Sequence, residues 1–205
     1  MGFTILSSAV EAVERGKIMG FLVPEAHGEK DVLITNVLHQ LAQVRSTVYG
    51  LTSEQAHSVP AASSLNLTGL LRHCALVAAG WSNMAAQQIN IPDVPEHIGE
   101  DMYVEDCVAH PATVDETLDF FDRCVTYASE QMESITDLSA PMPIPDAPWF
   151  PPELESWEAR WALTHLVGEL ARHAGHADVI RESIDGKGSY ELNDLVDGLD
   201  PNRGW

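Results

Sequence analysis

Four long stretches of this chain place apolar residues three and four positions apart, and proline-rich segments separate them. That spacing gathers side chains on one side of an α-helix, so each stretch predicts a helix with one face to bury. Ile34, Val37, Leu41, Val44 and Val48 predict the first, over residues 30–49. Leu67, Leu70, Cys74, Val77 and Trp81 predict the second, over residues 63–89, with Ser63 or Ser64 as its cap. The third opens on Thr113-Val114-Asp115-Glu116, which has the form of a capping box, and its stripe runs through Leu118, Phe121, Val125, Ala128 and Met132 to Ile135. The fourth, over residues 157–184, carries Leu163, Val167, Leu170, Ala174, Ala177 and Ile184, and Gly186 is a fitting stop. Residues 51–60 read as a loop or short turn, and short helices are expected at residues 8–19 and 193–196. Residues 90–111 and 139–152 contain prolines that a helix interior would not accept. No strand pattern stands out. The expectation is an all-α four-helix bundle with long inter-helix connections. Residues 1–28 would be an N-terminal extension, 29–186 the bundle and 187–205 an acidic tail.

Bulk properties narrow the function classes. At 205 residues the chain is long enough for one domain with an adequate core. Acidic residues outnumber basic ones 31 to 11, a net charge of -20. Nucleic acids and anionic membranes need basic surface to offset their phosphates, so the composition argues against both as partners. The cysteines Cys74, Cys107 and Cys124 are odd in number and have no CxxC spacing. Reduced thiols, and hence a cytoplasmic location, are expected. No apolar run is long enough to cross a bilayer, and the N-terminus has no secretory pattern. Leu6 occupies the position where a myristoylation motif needs Ser or Thr.

One segment carries the chemistry. In Gly168-Glu169-Leu170-Ala171-Arg172-His173-Ala174-Gly175-His176, Glu169 and His173 lie one helical turn apart on the same face. A carboxylate and an imidazole so placed can hold one divalent metal between them. Spacing alone also fits a solvated helix face. His176 follows on the same side, which borders the apolar stripe at Leu170, Ala177 and Ile180, where polar groups need partners. His73, on the second helix beside Leu70 and Val77, is a candidate third ligand; a half-buried histidine bonded to a carbonyl remains the alternative. His165, four before Glu169, reads as a surface or capping residue, or else as a further ligand or a neighbour of one. Cys74 reads as core. Trp81, Trp149, Trp157 and Trp161 fit either cavity lining or bundle packing. No nucleophile elbow, phosphate loop or dinucleotide fingerprint is present.

Leu70-Leu71-Arg72-His73, together with the run from Trp161 through Glu169, His173 and His176-Ala177-Asp178 to Gly186, resembles the DinB/YfiT-like superfamily over residues 25–186. The actinobacterial branch is most similar, and the Glu-x3-His pair is similar to that of mycothiol-dependent maleylpyruvate isomerases. The resemblance implies a four-helix bundle with a metal held by His73, Glu169 and His173, where many members have His in place of the Glu. Zinc is the first expectation and nickel the second. It also implies a low-molecular-weight thiol such as mycothiol or bacillithiol as cosubstrate. The activity would be that of a thiol-dependent transferase or isomerase, with His176 near the metal handling protons. Two other functions remain open: a metal-dependent hydrolase using His176, Glu100 or Asp101, and a non-catalytic stress-response or binding module. The expected partner is a small-molecule substrate, and a homodimer is compatible with the bundle.

Overall fold

The computed structural model describes residue 20 and residues 22–87, 103–144 and 153–202. The helix expected at 8–19, Trp149, and the carboxylates Glu100 and Asp101 lie outside the described residues. Four long helices form the frame: α1 (Glu29–Ser46), α3 (Leu67–Ala86), α5 (Val114–Ser134) and α6 (Ala159–Asp185). Short helices lie between and after them: α2 (Ser53–His57), α4 (Val104–Val108) and α7 (Ser189–Val196). The fold is all-α apart from a pair of three-residue strands, β1 (Pro141–Pro143) and β2 (Ser156–Glu158), which run antiparallel with Met142 opposite Trp157. α3 lies at the centre, packed against α5 and α6, and α1 closes the bundle against α6.

The predicted stripes form the core. Val37, Leu41, Val44, Leu70, Cys74, Phe121, Ala128, Met132, Leu163 and Leu170 are fully buried. Thr113 and Glu116 make the expected capping box at the start of α5, and Gly186 ends α6 in the left-handed conformation at φ 81°.

Three boundaries differ from expectation, each for a physical reason. α3 starts at Leu67 rather than at Ser63 or Ser64. Its cap is Asn66, whose side chain accepts from the Gly69 N–H at 2.8 Å. The same amide donates to the Val108 carbonyl at 3.2 Å, so long-range contacts select this cap. The connection over 90–111 contains α4, and Gly69 is the reason α4 fits there. A Cβ at Gly69 would lie 2.6 Å from the Val108 Cα. Finally, Trp157 belongs to β2 and not to the last helix. Residues 140 and 138 accept from the Ala159 and Arg160 N–H groups, fixing the entry to α6.

The other end of α6 is held by Arg181, only 2% exposed. Its guanidinium donates to the Thr47 and Tyr49 carbonyls at 2.7 and 2.8 Å and pairs with Asp185 through two bonds. It thereby caps the C-terminus of α1 from within α6. Arg45 and Asp122 make a two-bond pair at 2.8 and 2.9 Å that ties α1 to α5. α7 packs on α1, with Leu192 buried and Asn193 bonded to Gln43.

Gly69→Ala tests the α3–α4 approach. Helix propensity alone would stabilise this change by about 1 kcal/mol. Overlap with the Val108 backbone should reverse the sign and leave a net loss of about 1–3 kcal/mol, read as a lower urea midpoint at unchanged slope.

Candidate metal centre

α3 and α6 cross so that His73 faces Glu169 and His173. The cap at Asn66 sets the phase of α3 and so the direction of His73, two turns further on. On α6 the four-residue step places Glu169 and His173 on the face turned toward α3. Glu169 Oε1 lies 3.1 Å from His173 Nε2 and 3.7 Å from His73 Nε2. The two imidazole rings meet edge-on with centroids 4.6 Å apart. One ligand atom from each residue falls within 4.8 Å of the others. Both histidines are 8% exposed. The carboxylate is half-buried, and its second oxygen lies 3.8 Å from the exposed Arg172 guanidinium.

These dimensions fit a metal. With bonds of about 2.0–2.2 Å, neighbouring ligand atoms around a tetrahedral zinc sit roughly 3.3 Å apart, and the two contacts to Glu169 Oε1 bracket that value. Two imidazoles and one carboxylate are an accepted donor set for zinc, with a fourth position left for an exchangeable group. The other ring nitrogen of His173, Nδ1, is buried with no hydrogen-bond partner among the described residues, as are His39 Nδ1 and His57 Nε2, and a metal held at Nε2 leaves it so.

The electrostatics favour a cation. Burial pushes the Glu169 carboxyl up, but His173, His165 and His73 outweigh that and hold it below its ordinary value. Burial, reinforced by His73, pushes the His173 imidazole down despite the pull of Glu169. At neutral pH the carboxylate is therefore ionised and His173 neutral, which is the protonation state that metal ligation requires.

His176 is exposed, its ring centroid 5.5 Å from that of His173. It stands beside the cluster rather than in it. His165 is neither a surface nor a capping residue. It is half-buried, stacked on Trp161 at 5.0 Å and 7°, with Trp81 edge-on at 4.9 Å, and burial lowers its pKa. The Trp161 stack is a four-residue step along α6, whereas the Trp81 contact comes from α3 and is not legible in spacing.

Cys74, Cys107 and Cys124 are buried free thiols. Burial pushes Cys74 well above the thiol range, Cys107 to about 11 and Cys124 to about 12. Burial thus favours the neutral thiol over the thiolate at all three. A maleimide at about pH 8 should label the native protein slowly and the urea-unfolded protein rapidly at all three thiols. Rapid labelling of a native thiol would contradict this placement.

Comparison with known protein families matches the mycothiol-S-transferase family over residues 32–186. The matched span begins in α1, ends at Gly186 and contains His73, Glu169 and His173. No curated protein and no solved structure matches the chain. Since the match covers well over half its length, the chain belongs to the mycothiol-S-transferase family, within the DinB/YfiT-like superfamily.

Proposed function

We propose that this protein is a divalent-metal-dependent S-transferase that conjugates a low-molecular-weight thiol of the mycothiol type to an electrophilic small molecule. The observation that carries the proposal is the meeting of two imidazoles and a carboxylate from α3 and α6, inside the span that matches a thiol-transferase family. In this reading His73, Glu169 and His173 hold the metal, zinc in the first instance and nickel in the second. The reaction would take place in the cytoplasm, where such thiols stay reduced.

When bound, such a metal is a Lewis acid that lowers the pKa of a thiol toward neutrality. The protein's own residues do the remaining work. His73 and His173 present ring nitrogens from two different helices, which fixes their separation. Glu169 adds one negative charge, so the site as a whole attracts a cation. Around it Leu70, Cys74, Leu166 and Leu170 are fully buried, and this apolar wall strengthens the local electrostatics. His176, exposed one turn along, takes the thiol proton and passes it to solvent. The sulfur lone pair then forms the new carbon–sulfur bond, and the displaced group leaves with its bonding electrons.

Conjugate formation, followed by mass spectrometry, tests the reading. Product should require thiol, electrophile and protein together, and a chelator should abolish it. Glu169→Ala and His173→Ala should each lose the bound metal and reduce turnover by more than the roughly 10–100-fold typical of changes outside the ligand shell. His176→Gln should keep the metal and slow transfer by about 100-fold. Ester hydrolysis without added thiol, at a rate above that of conjugation, would instead favour metal-activated water.

A further inference from the structure

Along α6 the four-residue step that sets Glu169 and His173 on one face continues backward. His165 and Trp161 occupy the same face, and Trp157, in β2, lies one step before. Their rings are layered: Trp157 on Trp161 at 3.7 Å and 11°, Trp161 on His165 at 5.0 Å and 7°. Trp81 of α3 closes this row from the side, 5.5 Å from Trp161 and 4.9 Å from His165. The row therefore leads from the start of α6 to the candidate metal centre. At a rise of 1.5 Å per residue, Trp161 and Glu169 are about 12 Å apart along the helix.

At its far end the row borders a cleft. Trp157, Trp161 and Pro141 give it apolar surface, Ser139, Ser156 and Thr164 give it hydroxyls, and its volume is about 670 Å³. That size and mixture suit a small organic molecule. Trp161 is 36% exposed, although both of its faces are covered by neighbouring rings. What it offers to a ligand is therefore its edge. The edge of an aromatic ring is the positive part of its quadrupole and attracts the negative face of another ring. The charges at the mouth do not favour an anion: Arg160 is paired with both Glu29 and Glu158, leaving one net negative charge.

We propose that this cleft seats the second substrate, a neutral aryl electrophile whose ring packs face-on against the edge of Trp161 and whose reactive carbon is carried on an arm long enough to cover the roughly 12 Å to Glu169. The proposal rests on reading the His73, Glu169 and His173 cluster as the thiol-transfer centre, and it adds the class of acceptor. Edge-to-face packing distinguishes a planar ring from a saturated one of similar size, and area burial alone does not.

The test uses an unreactive probe of the aryl seat alone, benzylacetone, against its cyclohexyl counterpart. Binding to the full-length protein is followed by calorimetry and tryptophan fluorescence. Saturable binding at one site is expected, roughly tenfold tighter for the planar ring, where simple hydrophobicity would favour the saturated one. Trp161→Leu should weaken benzylacetone by roughly tenfold and erase the preference, while Trp161→Phe should retain it. His173→Ala should bind the probe as the parent does, so a failure of the metal reading would leave this result standing. The proposal is overturned by absence of saturable binding, by equal or tighter binding of the cyclohexyl compound, or by undiminished binding to Trp161→Leu at unchanged helicity.

Discussion

Two imidazoles and a carboxylate meet between α3 and α6, and the surrounding structure serves to hold them there. Placing three polar groups against an apolar core is costly unless something compensates. Glu169 Oε1 approaches the Nε2 of both histidines, at 3.1 Å on His173 and 3.7 Å on His73. A divalent cation offsets the carboxylate charge and uses the ring lone pairs at once. The anchors seen elsewhere maintain the required geometry. Asn66 and Gly69 lock α3 against α4, and the buried Arg181 locks α6 to the end of α1.

The parts of this arrangement that could be read from sequence are those written in local spacing. Thr113 and Glu116 cap α5 within one turn, and the Glu169 and His173 pair follows from the pitch of a helix. The meeting of His73 with that pair is not local. Its position beside Leu70 and Val77 makes it a candidate ligand but fits a carbonyl-bonded core histidine slightly better, and the family resemblance is what turns the reading toward ligation. The packing of α3 on α6 brings the three together.

What spacing could not give depends on partners distant in the chain. α3 starts at Leu67 and not at Ser63 or Ser64 because Asn66, besides capping the helix, also reaches the Val108 carbonyl. The strand pair leaves no mark in the sequence because three residues are too few to display alternation. His165 reads as a surface residue in sequence because Trp81, which closes over it edge-on, comes from α3. For the tryptophans, spacing favours bundle packing over cavity lining. In the structure Trp81 fills space between helices, and Trp157 and Trp161 border an open cleft.

The central claim is that His73, Glu169 and His173 hold a divalent metal with no help from sulfur. X-ray absorption at the zinc edge, on protein loaded with one equivalent of zinc and free of added thiol, addresses it directly. The account predicts only nitrogen and oxygen neighbours at about 2.0–2.2 Å, with the outer-shell scattering of two imidazoles. A sulfur neighbour at about 2.3 Å would place a cysteine in the site. That result, or a failure to retain zinc at all, would contradict the assignment.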